Sequence, residues 1–246
     1  MSKFRHQLLK YLPARWRHKA VELKNKIWGG WRHHYYSHCG EDVFVDSYFR
    51  NKKQGFYVDV GAHHPKRYSN TALLYERGWY GINIEPNSHA IKLFSKQRSR
   101  DINIHYGVGE REDVAEFHKF SDPAVNTFSM ENSVRLKNKK WLTEVSVEKV
   151  RIRPLSAILD EFLPINTKID FLDIDVEDLD IEVLRSNNWQ KFRATLVAVE
   201  DRFFDILNPP NSPIYKYLLG QNYVYMAKIG LTLIFVDKET LSNNGA

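Results

Sequence analysis

The sequence contains little cysteine and no long apolar run. A single cysteine, Cys39, excludes a fold held together by disulfide bonds and is typical of a protein in a reducing compartment. No stretch of about 18 apolar residues occurs, so no segment is predicted to span a membrane. The N-terminus has neither the apolar core nor the small-residue cleavage site of a secretory signal. We therefore expect a cytoplasmic protein.

Glycine is scarce where a dinucleotide-binding loop would need it. The apolar run Phe56–Val60 predicts a buried strand, and Gly61 follows it directly. A dinucleotide site needs further glycines in the pattern G-x-G-x-x-G, because the later ones admit a pyrophosphate. The residues after Gly61 are Ala, His, His, Pro and Lys, which make a bulky loop with a proline. This loop favours a ligand that has a ribose but no phosphate, and S-adenosylmethionine is such a ligand.

A second predicted strand, Tyr80–Ile84, follows a predicted helix over residues 69–77 and ends at Glu85. A carboxylate at this place can accept two hydrogen bonds from ribose hydroxyls. Asp59, in the first strand, suits the ammonium group of the same cofactor. The alternative is a βαβ unit without a ligand, but acids at the ends of two successive strands have no packing purpose. These features predict the cofactor half of a site.

Charge is unevenly distributed over the 246 residues. The net charge is +6, and residues 1–35 contain nine Lys or Arg against one acid, Glu22, so this segment is +8 and the remainder is −2. A body so close to neutral disfavours specific binding of nucleic acid. The hydrophobic content of 43% allows a substantial core, and the length suits one α/β domain with additions or two small domains.

The basic segment is interpreted as an arm preceding the domain. Apolar residues between Trp16 and Ile27 recur at helical spacing, with Lys and Arg between them. Such a face can lie on an anionic membrane surface, or it can pack on the domain or on a second subunit of a homo-oligomer. We place the arm at residues 1–35 and the domain at 36–246. A loop-rich insertion near 121–146 either shapes the substrate pocket or is a plain surface loop.

The downstream pattern completes an open α/β sheet. Residues 102–108 predict a third strand, and the loop containing Val108 and Gly109 lies where adenine contacts are common in this architecture. Further core strands are predicted at 169–174 and 195–199, and two last strands flank Ile229-Gly230 as an antiparallel hairpin. We expect a Rossmann-like fold with a mostly parallel, doubly wound sheet and a C-terminal antiparallel hairpin.

Acidic residues follow both of the later core strands. Because the carboxyl ends of parallel strands meet at one edge of a sheet, Asp175, Glu200 and Asp201 should converge there. Oxygen ligands of this kind suit Mg²⁺ or another divalent cation, which would orient an acceptor hydroxyl and lower its pKa. Asp178 and Asp180 also fit an alternative role as acids at a helix N-terminus, stabilised by the helix dipole.

Transfer of a methyl group needs an aligned and deprotonated acceptor. Asp175 is placed to orient the acceptor. Asp178, three residues further on, and His64, in the cofactor loop, are equal candidates for the base.

These residues resemble the FkbM family of S-adenosylmethionine-dependent methyltransferases. Five motifs in the expected order carry the resemblance, which covers about residues 36–237. They are Ser37-x-x-Gly40-Glu41-Asp42, Tyr57-Val58-Asp59-Val60-Gly61-Ala62, Ser69-Asn70-Thr71, Gly78-Trp79-Tyr80-Gly81 with Asn83-Ile84-Glu85-Pro86, and Phe171-Leu172-Asp173-Ile174-Asp175-Val176-Glu177.

The resemblance implies a Rossmann-like methyltransferase fold and O-methylation of a hydroxyl on a sugar, glycan or polyketide. It also implies that the amino-acid end of the cofactor and its ribose are held by the matching positions, and that Asp175 with Glu200 and Asp201 is similar to the metal triads of magnesium-dependent sugar and catechol O-methyltransferases. One departure is Asp178, which stands where the family commonly has a glycine, so the tight turn of the family is not expected there. The cofactor positions are Asp59, Gly61, Ala62, His63, Ser69, Asn70, Glu85, Pro86, Val108 and Gly109.

The sequence therefore predicts an O-methyltransferase that acts on a sugar, surface glycan or glycoconjugate with the help of a divalent metal. The alternatives are a metal-independent methyltransferase of a small metabolite or polyketide, and a scaffold protein that binds S-adenosylmethionine without catalysis.

Overall fold

The computed structural model describes residues 35–244, so all but the last residue of the predicted basic arm lies outside the described part of the chain. The strands are β1 Phe56–Val60, β2 Tyr80–Ile84, β3 Ile102–Ile104, β4 Gly107–Val108, β5 Asp113–Phe120, β6 Glu144–Arg153, β7 Phe171–Ile174, β8 Leu196–Glu200, β9 Tyr223–Ile229 and β10 Thr232–Asp237. The α-helices are α1 Glu41–Tyr48, α2 Ala72–Glu76, α3 Ser88–Gln97, α4 Met130–Lys137, α5 Leu155–Phe162, α6 Asp180–Ser186, α7 Pro213–Gly220 and α8 Lys238–Asn244.

Seven of the strands form one sheet in the order β3-β2-β1-β7-β8-β10-β9. The first five are parallel to their neighbours, whereas β10 runs antiparallel to both β8 and β9. In chain order, β2 and β3 lie on one side of β1, and β7 lies on its other side. This reversal creates a switch point between β1 and β7, where open α/β sheets bind their ligands. The predicted Rossmann-like methyltransferase fold with its C-terminal hairpin is confirmed.

Helices cover both faces of this sheet. Successive side chains of a strand point to opposite faces, so Val58 and Val60 pack with α5, α6 and α7, while Tyr57 packs with α1 and α2. All five residues of β1 are buried, because the strand lies in the middle of a sheet covered on both sides. This double burial explains why β1 appears in the sequence as an unbroken apolar run around one acid.

A second, smaller sheet has the strand order β4-β6-β5. Residues 102–108, predicted as one strand, instead form β3 in the large sheet and β4 in the small one. Gly107 lies where the chain passes from the large sheet to the small one. A larger residue would not fit there, because its Cβ atom would lie 2.4 Å from Cδ1 of Ile152 and 2.7 Å from the ring of Phe128. The sequence pattern showed the apolar residues but not which sheet each would join.

The predicted insertion at 121–146 contains more regular structure than the expected loop. Its centre is α4, where the Ser129 hydroxyl caps the helix by accepting a hydrogen bond from the backbone N–H of Asn132. The predicted helix at 69–77 is shorter and begins at Ala72, because Ser69 and Thr71 are held by side-chain hydrogen bonds of the preceding loop. Within residues 35–244, no helix combines the length and the apolar character needed to cross a bilayer.

Candidate active site

A cavity lies at the carboxyl edge of the large sheet, over the switch point between β1 and β7. Its volume is about 450 Å³, which falls within the range of about 300–1,000 Å³ typical of small-molecule sites. The loops after β1, β2, β7 and β8 line it, together with α1 and part of the 121–146 segment. Nine of the ten predicted cofactor positions contribute to its lining, namely Asp59, Gly61, Ala62, His63, Ser69, Asn70, Glu85, Pro86 and Val108.

Gly61 brings the two halves of the cavity together. Its φ of +83° lies in the left-handed region, and a Cβ atom on it would meet the carbonyl oxygen of Asp175 at 1.8 Å. The backbone N–H of Asp175 also donates to the carbonyl of Val60. The glycine is therefore required by contact with the β7 loop, as well as by any ligand that approaches the turn.

Glu85 lies at the end of β2 and is buried. One carboxylate oxygen accepts a hydrogen bond from the backbone N–H of His63 at 2.8 Å, and the other accepts one from Asn87 at 2.7 Å. Burial raises the pKa of Glu85 to about 7, against the lowering effect of these two donors. Each oxygen keeps a lone pair available to the cavity, so the group is fixed in place and still able to accept hydrogen bonds from a ligand.

Asp59 and Asp173 are neighbours in register on β1 and β7, and both are buried. Asp59 accepts a hydrogen bond from the hydroxyl of Thr71 at 2.5 Å, and Asp173 accepts one from the amide of Asn70 at 3.1 Å. Burial raises the pKa of Asp59 to about 6, and burial together with the nearby Asp59 raises that of Asp173. Two adjacent acids of this kind attract a cationic group.

A buried arginine holds the loop that carries these polar residues. Arg98 donates to the Thr71 hydroxyl at 2.7 Å, to the Ser69 hydroxyl at 2.7 Å and to the carbonyl oxygen of Pro65 at 2.5 Å. The guanidinium fork thereby fixes three points of the segment between β1 and α2. The loop is therefore ordered by side-chain contacts even though it lacks the glycines of a dinucleotide site.

His63 is the most conspicuous polar side chain of this loop. Its backbone adopts a positive φ of 53°, and its Nε2 atom is buried without a hydrogen-bond partner. Burial and the charge of Arg67 lower the pKa of His63 to about 4, so the imidazole is neutral at physiological pH. This nitrogen is in the wall of the cavity, where a bound ligand or a water molecule can satisfy it.

Three carboxylates meet at the other end of the cavity. Asp175, Glu177 and Glu200 each offer one oxygen atom, and these three atoms lie within 4.8 Å of one another. Asp175 is exposed to the cavity that it lines. Partial desolvation at this position, followed by the charge of Glu200, raises its pKa. Burial and Glu200 likewise raise the pKa of Glu177 to about 7.

Arg202 supplies the positive charge of this carboxylate cluster. Its Nη2 atom lies 2.8 Å from Glu177 and 3.1 Å from Glu200, and its Nε atom lies 3.6 Å from Asp178. Burial lowers the pKa of the guanidinium, but Glu200, Glu177 and Asp178 together raise it by more, so the group remains charged. The cluster is thus partly neutralised by the protein itself, which the sequence reasoning did not foresee.

Four predicted site residues do not line the cavity. The Asp201 carboxylate turns away from the cluster and accepts hydrogen bonds from the hydroxyl of Ser212 and the backbone of Phe203, so Glu177 takes the place predicted for it. Asp178 is paired with Arg135 and Arg202. His64 accepts from the backbone N–H groups of Lys66 and Arg67, and Gly109 donates to Arg153 beside β4.

The tight turn that was not expected at Asp178 is nevertheless present. Glu177 and Asp178 have φ values of +58° and +79°, in the left-handed region where glycine is favoured. The Glu177 carbonyl accepts hydrogen bonds from Thr127 and Asn132, both in the insertion. These contacts stabilise the left-handed backbone conformation of the turn, and that conformation places the Glu177 carboxylate in the cluster.

Three further cavity residues were not predicted as site residues. Glu177 and Arg202 adjoin acids that were identified, so the signal available was their position within three residues of a strand end. Glu41, on α1, is buried and lines the cavity, and it belongs to a motif that carried the family resemblance. Its role could not be read from spacing, because α1 lies before the first strand in the sequence.

The comparison with protein families decides the class of this chain. The methyltransferase FkbM domain matches residues 59–225, which is well over half of the chain. The chain belongs to the FkbM methyltransferase family.

Membership in the FkbM family and the strand order together support a methyltransferase. A solved structure from Sulfolobus solfataricus, assigned as a type 11 methyltransferase, shares 15% identity with this FkbM protein. That similarity covers 80% of this chain and 91% of the other, with a TM-score of 0.39, which is too low to support further conclusions. No curated protein matches the chain.

Proposed function

We propose that this FkbM protein is an S-adenosylmethionine-dependent O-methyltransferase acting on a hydroxyl of a sugar or glycoconjugate. The observation that carries the proposal is the single cavity that joins Glu85, on β2, to the carboxylate cluster after β7 and β8. One end offers a fixed acid for a ribose, and the other offers acids for an acceptor.

The cofactor end fits S-adenosylmethionine in charge and hydrogen bonding. The free lone pairs of Glu85 suit the two ribose hydroxyls, and the acid pair Asp59 and Asp173 suits the ammonium group. The unpartnered Nε2 of His63 offers one further hydrogen bond. When bound, the cofactor supplies a methyl group that its sulfonium already activates. The protein's contribution is to align the acceptor and remove its proton.

Asp175 is the base that the geometry favours. The acceptor oxygen gains the methyl carbon and loses its proton, and the sulfonium becomes a neutral thioether. In its ionised form, a carboxylate whose pKa is raised accepts a proton more readily than an ordinary carboxylate does. Asp175 combines a raised pKa with a place in the cavity lining, whereas Asp178 and His64 are engaged elsewhere.

A polyhydroxylated acceptor suits the cluster, because several carboxylate oxygens and one guanidinium can each bind a hydroxyl. Incubation with labelled S-adenosylmethionine and a panel of sugars and glycans tests this reading. Label in a sugar hydroxyl supports it, and label only in small metabolites or polyketides favours the first alternative. Tight cofactor binding without transfer to any acceptor favours the scaffold alternative.

A divalent cation at the cluster is the finer part of the proposal. Asp175, Glu177 and Glu200 have the oxygen donors that Mg²⁺ prefers, so the donor set fits, although Arg202 competes for two of them. A bound cation would neutralise charge and orient two acceptor hydroxyls. Asp175 would then be a ligand, and the cation would lower the pKa of the acceptor hydroxyl in place of a carboxylate base. Thermal unfolding with Mg²⁺ or Mn²⁺ should show stabilisation that disappears in Glu177→Gln. Full activity in EDTA together with no stabilisation by either ion would favour the metal-independent alternative.

A further inference from the structure

Two exposed apolar segments flank the carboxylate end of the cavity. One is the loop after β8, where Phe203, Ile206 and Leu207 are 76%, 66% and 85% exposed. The other is α4, where Met130 and Val134 are more than half exposed and stand one turn apart on the same side. We call these five residues the apolar rim. Both segments adjoin cavity residues, since Arg202 immediately precedes the first and Phe128 lies two residues before the second.

Contacts between the two segments make the rim one surface. The guanidinium of Arg135, on α4, lies 5.8 Å from the ring centroid of Phe203. The same guanidinium donates to Asp178 at 2.7 Å, and Asp178 also pairs with Arg202. The rim is therefore anchored to the turn that carries Glu177, at the mouth of the acceptor end.

The rim needs an apolar partner. Single exposed apolar side chains are common on protein surfaces, but a group of five at the mouth of a ligand cavity marks an interaction site. A polar residue in place of Phe203 or Leu207 would cost the folded protein little stability, because most of each side chain is exposed. Burial of these side chains against an apolar partner would lower the free energy of the bound state.

The charges beside the rim favour a lipid bilayer over a protein. Between residues 129 and 141 the chain has four Lys or Arg and one acid, but Arg135 and Lys137 are paired with Asp178 and Glu144. The turn after α4 exposes Lys139 and Lys140 beside Trp141, which is 67% exposed, while the loop after β8 carries one exposed acid, Asp205, between its apolar residues. Tryptophan with flanking lysines is characteristic of surfaces that sit at the interface of an anionic membrane. The sequence of residues 1–35 repeats this chemistry, with a charge of +8 and three tryptophans.

We propose that the apolar rim docks the active site on a bilayer, so that the acceptor is a hydroxyl of a lipid-anchored molecule. The docking surface rests on the apolar rim and on the lysines and tryptophan beside it, and the identity of the acceptor rests on the proposed methyl transfer. The rim inserts Phe203, Ile206 and Leu207 below the headgroups, and the mouth of the cavity then faces the headgroup layer. The acceptor reaches the carboxylate cluster without leaving the membrane.

Vesicle flotation of the full chain tests the proposal. Phosphatidylcholine vesicles, with and without phosphatidylglycerol, are used in low salt and in about 1 M NaCl, where a Debye length of about 3 Å screens the basic arm. In high salt the wild type should still float with the vesicles. The combined variant Phe203→Ser, Ile206→Ser, Leu207→Ser should bind at least about tenfold more weakly, because each lost side chain removes apolar burial.

The matched control is Ile165→Ser. Ile165 is 91% exposed, and it precedes β7, at the edge of the sheet opposite to the cavity. This variant should float like the wild type. The pair Met130→Ser, Val134→Ser changes the rim from α4 and provides an independent test if the loop variant fails to fold.

Three results would overturn the proposal: a wild type that does not bind vesicles in high salt, rim variants that bind as well as the wild type, or an equal loss in Ile165→Ser. Calorimetry with S-adenosylmethionine on the same samples separates this from the proposed function. Normal cofactor binding without vesicle binding rejects the docking surface alone, whereas failure to bind the cofactor rejects the proposed function.

Discussion

The substitution Glu85→Gln separates a cofactor-binding role from a folding role. Glutamine keeps the shape of the side chain but removes its charge. One of its two terminal atoms becomes an NH₂ group, so it can accept from only one of the two backbone N–H groups, those of His63 and Asn87, that the carboxylate satisfies. It also loses the charged acceptor that a ribose would use.

Two opposing effects set the change in folding stability. The folded-state pKa of Glu85 is raised from 4.5 to about 7, so the native protein binds more protons between these values and the free energy of unfolding falls as pH rises through them. At pH 8 the full cost of about 3 kcal/mol is present, and glutamine removes it. One backbone N–H left without an acceptor costs about 1–3 kcal/mol. The net change should therefore be small.

The affinity for S-adenosylmethionine should change far more. A hydrogen bond to a charged group is worth about 1.5–3 kcal/mol, so losing one weakens binding by roughly 10- to 150-fold. Titration calorimetry at pH 8 measures the affinity, and thermal unfolding of the same sample measures stability. A change in affinity below about threefold in a folded variant would exclude Glu85 from the ribose site.

Asp101→Asn is the matched control for this experiment. Asp101 is also a buried acid, and it accepts hydrogen bonds from Tyr57, Asn83 and the backbone of Gly81, away from the cavity. Its replacement should lower the melting temperature and leave cofactor affinity unchanged. If both variants lose affinity in proportion to stability, the effect of Glu85 on binding is a consequence of folding.

Three further predictions concern charge in the cavity. Cofactor affinity should rise with pH through about 6–7 and level off near pH 8, since Glu85 with a pKa of about 7 is only about 1% ionised at pH 5, and this dependence should flatten in Glu85→Gln. Asp175→Asn should lower kcat by about 10²-fold or more while the Kd for S-adenosylmethionine changes little, and equal losses in both would assign Asp175 to the cofactor or the fold. Arg202→Gln removes the counter-charge of the cluster, so the acidic limb of the pH–rate profile should move to higher pH, and an unmoved limb would show that Arg202 does not set the pKa of the base.

Local pattern was sufficient to predict most of the elements that carry the proposed cofactor half. The strand β1, the turn at Gly61, the strand β2 and the acid Glu85 are consecutive in the chain, and their geometry follows from strand and turn chemistry. The prediction was incomplete where residues distant in sequence fix the conformation of the loop after β1. Arg98, which fixes the loop through Ser69 and Thr71, gives no signal of this role in its own segment.

The proposed acceptor half depends on side-chain direction, which spacing does not fix. Glu200 and Asp201 are adjacent, yet the first joins the cluster while the second binds Ser212, because consecutive side chains point to opposite sides at the end of a strand. Glu177 enters the cluster because its backbone is left-handed, and contacts from Thr127 and Asn132 hold it there. These contacts span more than 40 residues of sequence.

The fold class, the family and the sheet edge of the proposed site could be predicted from the sequence, because element type, motif order and the residues at strand ends are local features of the pattern. Only the folded chain shows which acids line the cavity, that Arg202 pairs with two of them, and that exposed apolar side chains follow Arg202 and lie on α4. Those features arise where segments far apart in the chain pack together, so burial and direction exist only in the folded protein.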